Sequence, residues 1–149
     1  MFSIHGEWKI EVSNNVLLQY FSGSWNEEAV IAYVKEFREK ATPLSLNQPN
    51  NGKWAILSIF EDWELGVPAI ESHIIEHCQW FKDNGCVKDC HVYSKNAIKE
   101  MLLEKLIPHT DGAYERRVFT TINDAKNWLG QYNYTVGDTD FFKQVGYLK

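Results

Sequence analysis

The chain predicts an α/β fold: a mixed, mostly parallel sheet with an N-terminal β-hairpin and about four helices, in the order β-β-α-β-α-β-α-β-α. Three observations predict it. Short apolar runs alternate with helix-length amphipathic segments, and parallel strands need such crossovers. The run "KWAILSIF", 53–60, is almost continuously apolar, as a strand buried on both faces is. The opening "WKIEVSNNVLLQYFSG" reads as two strands closing on Ser13-Asn14-Asn15, which adds an antiparallel edge.

The elements follow in order. In the second opening strand Val16, Leu18 and Tyr20 alternate with Leu17, Gln19 and Phe21. Ser24 with Glu27 predicts a capping box, and Val30, Tyr33, Val34, Phe37 and Ala41 then fall on one helical stripe. "TPLSLNQPNNG" predicts a loop from its Pro, Asn and Gly content. After the central strand, "EDWELG" reads as a loop, Pro68 as a first helical turn and Gly85 as the helix stop. "CVKDCHVYS" predicts a strand, "NAIKEMLLEKLI" a helix ended by Pro108, and "YERRVFT" a last strand. Thr121 is placed to cap "INDAKNWLGQY", with Asp124 near its start. Residues 133–149 show no period. The expected division is a domain over 1–132 and a C-terminal tail or arm over 133–149, which packs Phe141, Phe142 and Tyr147 on the domain or on a second subunit.

Composition narrows the function classes. The chain has 149 residues, 44% hydrophobic and 23% charged, ordinary values for one globular domain. The net charge is −5 and the only adjacent Arg pair is Arg116-Arg117, which argues against nucleic-acid binding, where a concentrated basic patch is needed. No apolar run approaches the ~20 residues of a membrane span. "MFSIHGEWK" lacks the pattern of a secretory signal, and three Cys make no disulfide framework. Cys86 and Cys90, on one strand, would stand about 13 Å apart. A cytoplasmic protein is expected.

The hairpin "WKIEVSNNVLLQYFSGSW", the buried "WAILSIFEDW" and the ending "RRVFTTINDAKNWL" together resemble the STAS fold of bacterial anti-sigma-factor antagonists, and more closely the SpoIIAA-like group of small bacterial proteins. The resemblance covers roughly residues 6–130 and rests on Val118-Phe119, Thr120-Thr121, Ala125 and Trp128-Leu129 at its end. It implies a protein-interaction or regulatory role without enzymatic activity. Phosphoregulated members carry an Asp-x-Ser-Gly type segment whose Ser a partner kinase phosphorylates. Here the matching "FEDWELGVPAIES" has no Ser between Phe60 and Ile70, so the phosphoserine switch does not carry over. Fold likeness does not by itself assign function.

Several constellations invite chemistry. His73-Ile74-Ile75-Glu76-His77 matches H-x-x-E-H, the signature of inverted zinc peptidases. At 100° per residue, however, His77 falls just inside the edge of an apolar arc centred on Phe81, Ile74, Val67, Cys78 and Ile70. His73 falls at its margin and Glu76 outside it, which describes a helix packed on a sheet. No third ligand carries a motif, so a metal-dependent hydrolase using His73, Glu76 and His77 is a remote alternative and no cofactor is expected. Glu61, Asp62 and Glu64 gather where acidic groups suit a helix start, with ion contact as the sharper alternative. Cys78, Cys86, Cys90 and His91 read as ordinary buried residues. Ser58, inside a buried strand, is expected to bond to backbone. Trp25 and Trp63 fall at strand-to-helix junctions on one end of the sheet, where ligands of open α/β sheets bind. The working surface expected from the sequence is therefore Trp25, Phe60, Asp62, Trp63 and Glu64. It would serve a protein partner, or self-association as a homodimer through the tail. The alternative is a cleft near Trp25 and Trp63, of roughly a few hundred Å3, for a small hydrophobic ligand.

Overall fold

The computed structural model describes residues 4–46, 51–107 and 110–146. Two strands open the chain, β1 (Glu7–Ser13) and β2 (Val16–Trp25), paired antiparallel around Asn14, whose φ of 53° makes the tight turn. Helix α1 (Glu27–Ser45) leads to β3 (Trp54–Gly66). A 3₁₀ turn (Pro68–Ile70) enters α2 (Glu71–Asp83), followed by β4 (Cys86–Val92), α3 (Ala97–Leu106), the short β5 (Thr110–Asp111), β6 (Tyr114–Phe119), α4 (Ile122–Gly130) and α5 (Phe141–Gln144). The sheet order is β1-β2-β3-β4-β6-β5. β2, β3, β4 and β6 run parallel, and the two outer pairs are antiparallel.

Period-two alternation divides the core into two layers. Trp54, Ile56 and Phe60 of β3 face α1, α2 and α3; Ala55, Leu57 and Ile59 face α4 and α5. The central run is thus buried on both sides, as its composition predicts. A register shift between Trp54 and Ala55 offsets β4, so Cys86 lies in the first layer and Cys90 in the second. All three cysteines are free and buried.

Four local expectations are corrected. Ser24 lies within β2; the cap of α1 is Asn26, whose Oδ1 accepts from Ala29 N at 3.0 Å and from His5 N at 3.1 Å. The helix does not end before Pro43 but runs to Ser45, because Leu44 is buried and the Thr42 hydroxyl donates to the Arg38 carbonyl at 2.6 Å. The segment 61–66 is strand and not loop: Ser22, Gly23 and Trp25 pair with Asp62, Trp63 and Gly66 across two register shifts, with Gly23 at φ 77°. Val67, placed in the apolar arc, is 46% exposed. At other positions Thr121 caps α4, accepting from Asp124 N at 3.1 Å, and Gly85 follows α2 at φ 106°.

The chain after α4 returns to the hairpin. Asn15 donates from its Nδ2 to the Asn133 carbonyl at 3.0 Å and accepts from Thr135 N at 3.0 Å; Gly137 N donates to Ser13 Oγ at 2.8 Å. Thr139 pairs with Glu11 and Lys9 with Gln144. Phe141 and Phe142 sit in the second core layer beside Trp128 and Leu129, covered by their own chain. Tyr147 and Pro108 lie outside the described residues.

Candidate functional site

β2 and the second half of β3 carry the predicted surface residues, and the structure separates them into two groups. Trp25, Phe60 and Trp63 are buried at 4%, 7% and 6% exposure, not presented to solvent. Phe60 meets Trp63 edge-on at 5.7 Å and stacks on Phe21 at 4.9 Å; Phe21 meets Trp25 at 5.5 Å. Trp25 donates its indole N–H to the Ser22 carbonyl at 3.0 Å. Asp62 and Glu64 are exposed above them. Asp62 accepts from the Tyr20 hydroxyl at 2.5 Å, and burial together with that carboxylate pushes the phenol up to about 12.

Glu61 points elsewhere. It accepts from Ser94 N at 2.5 Å and Ser94 Oγ at 2.6 Å, and these two bonds hold its carboxyl below the usual range. Lys99 Nζ donates to the carbonyls of Phe60 at 2.7 Å and Glu61 at 2.9 Å, clasping the end of β3 to the first turn of α3. The three acidic side chains therefore do not converge on one point. The two histidines of H-x-x-E-H also diverge: His73 Nε2 reaches Glu27 at 2.9 Å, while buried His77 Nε2 meets the Tyr33 hydroxyl at 3.2 Å. Glu76 is exposed. Among the described residues no group of three His, Cys, Asp or Glu is placed to hold a metal ion.

Beneath Trp25 and Trp63 lies a cavity of about 60 Å3, walled by aromatic and aliphatic side chains of β2, β3, α2 and α3. Its floor is polar. Gln19, Ser58 and His91 lie opposite one another across β2, β3 and β4, and Asp89 precedes His91 on the same face. Ser58 does not bond to backbone as expected; its Oγ accepts from Gln19 Nε2 at 2.7 Å. Tyr33 donates to Gln19 Oε1 at 2.7 Å. Asp89 accepts from Tyr114 at 2.5 Å and lies 3.3 Å from His91 Nε2, a contact bent away from hydrogen-bond geometry. Arg116 donates to His91 Nδ1 at 3.2 Å. Burial, with Arg38 adding to it, holds His77 down at about 3, so its imidazole is neutral. Burial likewise raises the Tyr33 phenol well above its ordinary value.

This polar row was not assembled from the sequence. The signal was present as a polar residue within each of three largely apolar runs, Gln19, Ser58 and His91. Only strand register puts them side by side.

A second, open cleft of about 610 Å3 lies at the strand ends on the other side of Glu61. Asp62, Ser94, Thr120, Asn123 and Lys126 line it with Glu61. Here α3 leaves β4 toward one face of the sheet and α4 leaves β6 toward the other, the crevice where open α/β sheets receive ligands.

No protein-family model and no curated protein matches the chain. Solved structures do. An uncharacterised protein from Shewanella loihica with a SpoIIAA-like fold superposes at TM-score 0.60 with 13% identity, over 87% of this chain and 98% of that one. The anti-sigma factor antagonist SpoIIAA in its unphosphorylated form gives TM-score 0.50 with 11% identity, over 83% and 98%. An anti-sigma factor antagonist from Mycobacterium paratuberculosis gives 0.48 with 13% identity, over 84% and 94%. Strand order, layer assignment and the first two of these superpositions together establish that this chain has the SpoIIAA-like α/β fold.

Proposed function

We propose that the protein is a non-enzymatic interaction or regulatory domain that binds a protein partner at the carboxyl ends of its strands, without a phosphoserine switch. The carrying observation is exposed Asp62 at the wall of the open cleft, with exposed Glu64 two residues on along β3. An acidic ledge above a rigid aromatic layer selects a partner segment with basic residues. Trp25, Phe60 and Trp63 serve as the buried support of that ledge, and Lys99 fixes its position. The segment between Phe60 and Ile70 has no Ser, and the control proposed in place of a phosphoserine is occupancy of the site. The fold supports this reading, and one structural neighbour is an anti-sigma factor antagonist.

The test is site-specific photo-crosslinking in cells, with the probe at position 64 or, as control, at position 127 on α4. A discrete protein adduct from position 64 is expected, and it should disappear when the probe-bearing protein also carries Asp62→Lys. Equal, diffuse adducts from both positions would refute the proposal. Self-association is read by light scattering on the full chain, since removal of 133–149 would also strip Phe141 and Phe142 from the core.

A second reading, a small-ligand site, is favoured by the cavity beneath Trp25 and Trp63. At about 60 Å3 it is far smaller than the few hundred Å3 expected for a carrier of apolar tails. What fits is a molecule replacing roughly four waters, at ~10–15 Å3 each.

A further inference from the structure

The chemistry of that cavity can be taken further, on the basis of the second reading. A polar row buried among apolar walls is unfavourable unless its atoms are bonded. Ser58, Gln19 and Tyr33 satisfy one another in a chain. Two atoms of the lining stand outside the network: Asp89 Oδ1, which keeps only its 3.3 Å ionic contact to His91 Nε2, and His77 Nδ1, which has no hydrogen-bond partner on a side chain 3% exposed.

The network sets the polarity of that nitrogen. Gln19 donates its amide N–H to Ser58, so its carbonyl oxygen is the one facing Tyr33. Tyr33 has a single hydroxyl proton and gives it to Gln19. The remaining contact, His77 Nε2 to the Tyr33 oxygen, must then be donated by the imidazole. A neutral imidazole with its proton on Nε2 has a lone pair on Nδ1. A buried acceptor at the wall of a cavity calls for a donor within it.

We propose that the cavity binds a small neutral molecule carrying one O–H or N–H donor on a short apolar body. The donor bonds His77 Nδ1, and the body packs among Trp25, Phe60, Trp63 and Leu103. Neutrality follows from the walls: a charge moved into them would lose its hydration, with buried Asp89 the only carboxylate in the lining. Size follows from the volume, which excludes a fatty acyl chain.

A matched pair of probes tests this on the full-length protein. 2-Propanol and acetone have the same number of heavy atoms and nearly the same shape, but only 2-propanol donates. Both are titrated while the indole N–H resonances of Trp25 and Trp63 and the ring nitrogens of His77 are followed by NMR. Saturable shifts are expected, with 2-propanol about tenfold tighter than acetone, the effect of leaving one buried acceptor unmet. His77 Nδ1 should shift with 2-propanol only. In His77→Phe the preference should fall to about twofold or less. Should that variant not fold, the wild-type pair still decides. Equal saturable affinities would overturn the donor assignment while leaving a ligand cavity in place. Linear, unsaturable shifts with both probes would overturn the cavity reading as well.

Discussion

Acidification should act on this fold through His77 before it acts through the carboxylates. The imidazole lies between Tyr33 at 5.2 Å, Phe37 at 4.3 Å and Phe81 at 5.3 Å between ring centres, and burial holds its pKa from 6.5 down to about 3. The unfolded chain therefore takes up a proton near pH 6.5 that the folded chain refuses until about pH 3. Stability from this group is complete above pH 6.5 and is lost as pH falls through that window. Between pH 8 and pH 5 the loss is about 2 kcal/mol, from RT ln of a roughly 30-fold ratio of proton-binding polynomials. Urea unfolding followed by Trp fluorescence at pH 8, 7, 6 and 5, on wild type and His77→Phe, isolates the effect. Phe keeps the ring contacts and removes the proton site. The stability gap between the two proteins should narrow by about 2 kcal/mol from pH 8 to pH 5. Parallel pH profiles, or an NMR titration of His77 with a midpoint near 6.5, would refute the reasoning.

Three further outcomes are expected. Phe141→Ala should lower unfolding free energy by about 3–5 kcal/mol in urea melts, because the side chain is fully buried in the second core layer; a loss below about 1 kcal/mol would mean that the C-terminal segment does not dock. Gly85→Ala should cost about 2 kcal/mol or more, since φ is 106° and the new Cβ would lie 1.9 Å from the Gly52 carbonyl oxygen; an unchanged melting temperature would contradict that approach. Burial raises the thiols of Cys78, Cys86 and Cys90, so an aromatic disulfide reagent at pH 8 should modify none in the native protein and all three in urea; rapid reaction of any one would place it at the surface.

Much of the fold was legible because it is written in local pattern. The hairpin at Asn14, the two-sided burial of 54–60, the stripe Val30-Tyr33-Phe37-Ala41 and the caps near Thr121 and Gly85 each depend on residues close in sequence. Where local pattern misled, a distant partner decided. Glu61, Asp62 and Glu64 look like a loop on composition, but the β2 backbone beside them extends to Trp25 and continues the ladder. Pro43 looks like a helix end, but Leu44 finds a core to enter.

The candidate site divides the same way. From sequence alone came the strand-end location of Trp25, Phe60, Asp62, Trp63 and Glu64, and the assignment of His77 to a packed helix face. Only the tertiary structure turned the three aromatics inward, left the two carboxylates outside, and set Gln19, Ser58 and His91 shoulder to shoulder under Tyr33 and His77. The physical reason is that side-chain direction follows from periodicity within one element, whereas hydrogen-bond partners and cavities arise between elements separated by dozens of residues.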